Sequence, residues 1–264
     1  MNTSSLPELL IRVRDRRPLV HHITNYVTVN DCANVTLSIG GAPVMAEARE
    51  EVEEMAGMAD ALVLNIGTLS TTQVESMVLA GCVANARGIP IVLDPVGAGA
   101  TRLRTETVLH LLKVLKIAVL KGNAGEIGTI AGCDARVRGV DSVGLSGDPA
   151  VVTSELARRL DCVVAMSGQV DTVSDGIRIV RIENGHPLMG RLSGTGCIAA
   201  SVIGSFAAAN DDRFEAAVGA LVSLGLAGER AGSKAKGPAS FRFKLLDALA
   251  SLEPADLENS ARIG

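Results

Sequence analysis

Aromatic side chains are nearly missing from this chain. Phe, Trp and Tyr make up 2% of its 264 residues, with no Trp and a single Tyr. Single-stranded nucleic acid is held by stacking on aromatics along a basic groove, and the sequence has neither the aromatics nor a basic run, so nucleic acid is excluded as a partner. The five cysteines, Cys32, Cys82, Cys133, Cys162 and Cys197, include no C-x-x-C pair. An odd count in a chain of this length argues against a disulfide scaffold and for a reducing, cytoplasmic setting. No Cys/His spacing fits a zinc site. Met1 to Arg17 has no long apolar run and no cleavage-like site, which separates it from a signal peptide. The apolar stretches 198–209 and 216–228 contain glycines and fall short of a bilayer span, so no membrane partner is expected. A formal charge of −4 speaks to solubility and little else.

What is present is aliphatic. Hydrophobic residues reach 47%, enough for a full globular core. Continuous apolar runs at 19–23, 42–45, 61–67, 89–95, 117–121 and 162–166 read as buried strands. Helical patterns separate them at 5–16, 27–39, 47–59, 70–87, 104–115, 123–131 and 150–160. Ser70 is the expected N-cap of its helix. Residues 132–149 are glycine-rich and read as loop. The alternation at 171–181, with Asp175-Gly176 as the turn, predicts a hairpin. Helices at 197–209, 213–230 and 240–251 complete the chain. Strands alternating with helices mean an α/β fold: a mostly parallel sheet covered on both faces, with the hairpin at one edge. No repeat and no linker appears, so residues 1–264 are expected to form one domain.

In open α/β sheets, ligands bind beyond the carboxyl ends of the strands. The residues there are Thr24 and Asn25, Met45, Asn65 and Gly67, Asp94, Lys121 with Asn123 and Glu126, and Ser167 with Gly168. Two carboxylates, one cation and several amides on one rim suit metal-assisted phosphate chemistry, since Mg²⁺ takes one or two carboxylates, waters and phosphates. Read singly, Asp94 also fits a loop cap and Glu126 a favourable charge at a helix N-terminus. His21 and His22 read as structural. The densest signal is Ser193-Gly194-Thr195-Gly196-Cys197, which runs into the apolar helix 197–209. Glycines permit a sharp turn and close approach, and a helix N-terminus offers unpaired N–H groups to an anion. The same field is expected to lower the Cys197 thiol pKa.

These motifs occur in a recognisable order: Pro18–Asn25, Ala42–Ala46, Ala61–Ser70, Leu93–Thr101, Gly122–Ile127, Ser193–Cys197 and Lys236–Phe241. The ordered set resembles the hydroxyethylthiazole kinase family of the ribokinase-like superfamily, and the resemblance runs from Pro18 to about Leu249. It implies a ribokinase-like fold and ATP- and Mg²⁺-dependent phosphorylation of hydroxyethylthiazole in thiamine salvage. By the same resemblance, Cys197 matches the catalytic base position, which sugar kinases fill with aspartate. Gly194, Thr195 and Gly196 would form the anion hole. Met45, Gly194 and Asn25 match substrate contacts. Lys121, Ser167 and Asn123 match the ATP side, and Asp94 and Glu126 the metal carboxylates. A homotrimer with its substrate site near subunit contacts is implied as well. Position 121 is commonly Arg and position 167 commonly Thr in that family. Two alternatives stand beside this reading: a related kinase for hydroxymethylpyrimidine, in which Asp would be expected at 197, and a thiazole-binding homologue without turnover.

Overall fold

The computed structural model describes residues 3–133, 135–138, 141–145 and 147–264. Its main sheet has eight strands: β1 (Leu19–Ile23), β2 (Ala42–Met45), β3 (Ala61–Asn65), β4 (Ile91–Asp94), β5 (Val119–Asn123), β8 (Val163–Ser167), β9 (Asp171–Ser174) and β10 (Ile179–Ile182). They lie in the order β10-β9-β8-β5-β4-β3-β1-β2. The pairings from β2 through β8 are parallel, while β9 runs antiparallel to both β8 and β10. The hairpin therefore closes one edge, as its alternation predicts. Its Asp175–Arg178 connection is held by Asp175 Oδ1, which accepts from Ile177 N and Arg178 N.

Side chains alternate across the strands and build two cores. On one face, Val20, Val63, Val92, Val119 and Ala165 pack under α1 (Leu6–Arg16), α2 (Val29–Ile39), α8 (Thr195–Ala209), α9 (Arg213–Lys234) and α10 (Pro238–Ala250). On the other, Leu62, Leu64, Leu93, Leu120 and Val164 meet α3 (Val52–Met58), α4 (Thr71–Arg87), α5 (Arg102–Val114), α6 (Ala124–Ala131) and α7 (Pro149–Leu160). The period of two explains why unbroken apolar runs are needed in central strands such as β3 and β4, which are buried on both faces. Ser70 caps α4 as expected, accepting from Gln73 N.

Three expectations are corrected. The segment 132–149 carries two strands, β6 (Ala135–Arg138) and β7 (Asp141–Leu145), paired antiparallel as a separate ladder. The residues at 134, 139, 140 and 146 in that expected loop lie outside the described residues. The helix expected over 47–59 starts only at Val52, because Glu47 and Arg49 reach across to Gln73 and Glu75 of α4. A short helix after the last expected one, α11 (Pro254–Ser260), packs against α1 and α9 through buried Leu257.

α8 crosses β1, β3 and β4 on one face. It comes close through Gly204, where an added Cβ would sit 2.6 Å from Val63 Cγ2 and 3.3 Å from Val20 Cγ1. Gly204→Val is expected to destabilise the protein by about 1–3 kcal/mol through overpacking. A urea midpoint equal to that of the native chain would show that α8 can lift off the sheet without cost.

Candidate active site

The chain leaves β1 for β2 on one side and returns to β3 on the other. The connection order reverses between β1 and β3, and such a switch point opens a crevice at the carboxyl ends of the strands. Asn25 follows β1 and Asn65 ends β3, and they join there, Asn25 Nδ2 donating to Asn65 Oδ1 at 2.9 Å. Asn65 Nδ2 then donates to Asp94 Oδ2 at 2.7 Å, on the next strand. Asn25 Oδ1 accepts from Thr28 N and Thr28 Oγ1, both at 3.0 Å, so α2 starts after this turn and two residues later than its apolar pattern suggests. All four side chains are buried. A buried polar group must be paired, and these amides pair one strand end to the next.

Asp94, Lys121 and Glu126 form the charged centre. Lys121 is 2% exposed and Glu126 4%. Burial pulls the Lys121 ammonium down, but Asp94, Glu126, Cys197 and Asp171 more than offset this and hold it above the ordinary lysine value. Burial also pushes Asp94 above the usual carboxylate range, against the pull of Lys121 and Asn65. Glu126 is pushed up to about 7 by burial and by Asp94. One cation cannot keep crowded carboxylates all ionised. Lys121 keeps its charge at neutral pH, and Asp94 and Glu126 are both held above the ordinary carboxylate range. Glu126 is held by two backbone donors, Gly97 N on Oε1 and Asn123 N on Oε2, both at 2.8 Å. The Asn123 side chain returns the bond to Glu126 N at 3.0 Å, completing a capping box at the start of α6. Among the described residues no cluster of three His, Cys, Asp or Glu side chains could cage a metal. Two buried carboxylates beside room for phosphate fit Mg²⁺, which keeps its waters and takes few protein ligands.

The glycine turn lies over this centre. Gly194 is the N-cap of α8 with φ +89°, and a Cβ there would sit 2.2 Å from Thr28 Cγ2, so both backbone shape and space require glycine. A Cβ on Gly196 would sit 2.7 Å from Lys121 Nζ: the ammonium lies directly beneath the turn. Thr195 Oγ1 donates to Met189 O at 2.7 Å and Leu192 O at 2.8 Å, anchoring the loop that enters the helix. Cys197 corrects an expectation. Its thiol is pushed up to about 11, mainly by burial and by the Asp94 charge, which outweigh the field of the helix terminus. Asn25 Nδ2 donates to its Sγ at 3.3 Å.

On the β8 side, a cavity of about 880 Å³ is lined by Ser167, Gly168, Asp171, His186, Thr195 and Gly196, among others. Ser167 Oγ donates to Gly122 O at 3.3 Å. On the opposite side, Met45 ends the edge strand β2, half-buried and paired in register with His22. Met45 and Asn25 thus stand at one end of the rim and Ser167 at the other, with Asp94, Lys121 and the turn between. His21 and His22 are buried and bonded to backbone carbonyls, Ala46 O and Val20 O, which is a structural role.

Two residues of this region carry no signal in the sequence order. Asp171 accepts from Gly168 N at 2.8 Å and faces Lys121, with its carboxyl pushed up to about 6 by burial. Arg104, on a helix face, reaches back to Val96 O at 2.7 Å, Gly67 O at 2.8 Å and Ile66 O at 3.0 Å, and clamps the loops after β3 and β4 together. An arginine in a helical pattern looks like a solvated face. Only the three-dimensional approach of two loops shows otherwise.

The fold is that of the ribokinase-like class. A solved ribokinase-like superfamily protein from Enterococcus faecalis shares the architecture at low identity (TM-score 0.68, 12% identity, covering 95% of this chain and 93% of that one). The Hydroxyethylthiazole kinase family model matches residues 10–255, and the chain belongs to that family. The hydroxyethylthiazole kinase of Methanocella arvoryzae is 58% identical over 263 residues, covering 100% of this chain and 99% of the relative. That of Thermoanaerobacter sp. is 52% identical over 258 residues, covering 97% and 98%. The structure of hydroxyethylthiazole kinase from Pyrococcus horikoshii superimposes with a TM-score of 0.91 at 43% identity, covering 99% and 98%.

The raised Glu126 pKa has a stability consequence. Between the ordinary value of 4.5 and about 7, the folded protein binds more protons at this site than the unfolded chain. Its contribution to stability is therefore full below 4.5 and is lost as pH rises through 7. Glu126→Gln has a pH-independent cost, because an amide nitrogen would face one of two N–H donors. The native-minus-variant Tm difference should nevertheless move against the native protein from pH 4.5 to 7.5. A difference constant across that range would place Glu126 in an ordinary solvated state.

Proposed function

We propose that the protein transfers the γ-phosphoryl group of ATP to the primary hydroxyl of hydroxyethylthiazole, as a thiamine-salvage kinase working in the cytoplasm. The observation that carries this reading is the Lys121 ammonium beneath Gly196, at a helix N-terminus, with a large cavity on one side and the Asn25–Cys197 pair on the other. Phosphoryl transfer needs positioning and charge stabilisation more than covalent chemistry. The backbone N–H groups of Gly194, Thr195 and Gly196 face the transferring group as an anion hole, and Lys121 adds a positive charge from below. Ser167 and Asn123 line the approach of the nucleotide phosphates. Asp94 and Glu126 would hold Mg²⁺, which when bound neutralises phosphate charge.

Asn25, Met45 and Gly194 take the acceptor. A Cys197 thiol pushed up to about 11 keeps its proton at neutral pH and orients the hydroxyl rather than deprotonating it. The homotrimer that the family resemblance implies is part of the same proposal, and Tyr26 and Val27, 77% and 63% exposed beside Asn25, fit an acceptor site that borders a second copy. A single unit spanning residues 1–264 is part of the same proposal. The pyrimidine-kinase alternative is disfavoured by the cysteine at 197. A binder without turnover is disfavoured by the intact charged centre.

Coupled ADP release with ATP and Mg²⁺ tests the reading, with hydroxyethylthiazole compared against hydroxymethylpyrimidine. Turnover is expected on the thiazole; turnover on the pyrimidine alone would move the substrate, and silence on both with thiazole still bound would make the protein a binder. Cys197→Ala should lose less than about 10² in kcat, since a true general base contributes about 10²–10⁴. Asp94→Asn and Glu126→Gln should each raise the Mg²⁺ concentration for half-maximal rate, and an unchanged requirement in both would remove them from the metal site.

A further inference from the structure

One wall of the cavity is a strap, residues 183–189, laid across α9. Gly225, Gly228 and Gly232 fall on one face of that helix at spacings of three and four. An added Cβ would lie 2.6 Å from Asn184 O at Gly225, 2.6 Å from Met189 Sδ at Gly228 and 2.3 Å from the His186 ring at Gly232. The helix is bare where the strap crosses, and the strap sits directly on its backbone. Asn184, Gly185, His186 and Met189 then face the cavity from this bed.

The other side of the strap is tied by the chain's last residues. Arg262 Nη2 donates to Glu229 Oε1 and to Glu183 O, each at 2.7 Å, and Nη1 to Glu229 Oε2 at 3.3 Å. Arg262 N donates to Asn184 Oδ1 at 2.7 Å, and Glu183 N donates to Arg262 O at 2.9 Å. Glu229 Oε1 also accepts from Gly185 N at 2.9 Å and Asn184 Nδ2 at 3.2 Å. Beyond this knot, Gly264 and Arg181 exchange a pair of backbone bonds at 2.8 and 2.9 Å, so the tail continues the sheet past β10. One guanidinium and its carboxylate thus hold three consecutive residues, Glu183, Asn184 and Gly185. The Arg262 side chain is itself 49% exposed and does not line the cavity.

We propose that Arg262 is a positioning residue for the nucleotide: from outside the cavity it fixes the wall against which the nucleoside part of ATP lies. This rests on the reading of the cavity as the ATP site. An exposed ion pair adds little to global stability. Its bonds converge on a binding wall, however, and a small misplacement there is felt in binding. The fork geometry matters because one planar group serves a carboxylate and a carbonyl at once, which a lysine ammonium on a flexible stem does not reproduce.

The test is steady-state kinetics of the full chain, varying ATP and hydroxyethylthiazole separately, together with the rise in Tm on adding ADP. Arg262→Ala is compared with Arg262→Lys, and with Val170→Trp, which places an indole at the cavity lining. Arg262→Ala is expected to raise KM for ATP about three- to tenfold and to shrink the ADP-induced Tm rise. KM for the thiazole and kcat at saturating ATP should move less than about twofold, with Arg262→Lys in between. If Val170→Trp weakens ATP while Arg262→Ala leaves it unchanged, the positioning role is overturned and the cavity reading survives. If neither variant changes ATP, the nucleotide lies elsewhere and the cavity reading itself fails. Equal rises in both KM values with loss of kcat would mean general loosening and would also overturn the role.

Discussion

A buried ammonium is the constraint on which the site depends. Lys121 stands in the middle of the central strand β5, 2% exposed, with Asp94 and Glu126 facing it from neighbouring elements and Asp171 beyond. An isolated charge at that depth is expensive and survives only where it is paired. Lys121 keeps its proton because the carboxylates outweigh its desolvation, and Glu126 rises to about 7 because burial and the neighbouring Asp94 charge outweigh the pull of that one ammonium. The free protein therefore holds a charge cluster that is incompletely balanced. Negative charge is in excess, and on the proposed function the Mg²⁺ that accompanies a polyphosphate would supply the positive charge that the cluster lacks. The same groups that cost stability in the free protein are the ones a phosphoryl-transfer site requires.

The fold brings the cluster its two neighbours. Parallel strands deliver their carboxyl ends to one rim, and the reversal of order between β1 and β3 opens it at Asn25 and Asn65. α8 crosses the same strands and brings its N-terminus over Lys121, with glycine required at 194 by φ and by Thr28, and with the ammonium close under Gly196. The turn from β8 into β9 and the strap over α9 wall the cavity on one side, and the C-terminal tail holds the strap from outside. The short edge strand β2 and the exposed Tyr26–Val27 turn form the other. On the proposed function, donor and acceptor take opposite ends of the rim, with the charge between them.

Much of this is legible in the sequence because it is periodic or punctuated. Buried strands such as 61–65 are uninterrupted apolar runs, and each polar residue that ends one falls on the rim. The hairpin shows as alternation around Asp175-Gly176. What stays hidden depends on distant approach. Glu47 and Arg49 look helical until α4 draws them away, and Arg104 looks solvated until two loops meet over it. The reactivity of Cys197 is misjudged from the helix end alone, because burial and the Asp94 charge come from parts of the chain a hundred residues away. Arg262 is unremarkable in sequence, and only the meeting of the tail with Glu229 and the 183–185 strap gives it a place.

The most direct test of the charged centre is ADP release with hydroxyethylthiazole for Lys121→Arg and Lys121→Met, each first checked for folding by its thermal transition. The account predicts that arginine, which keeps the charge and adds a fork for phosphate, sustains turnover, and that methionine, similar in length but uncharged, lowers kcat/KM for ATP by at least about a hundredfold. Turnover by a folded Lys121→Met protein close to that of the native chain would contradict the account, since the buried ammonium would then be a structural counter-ion and the phosphoryl group would be stabilised elsewhere.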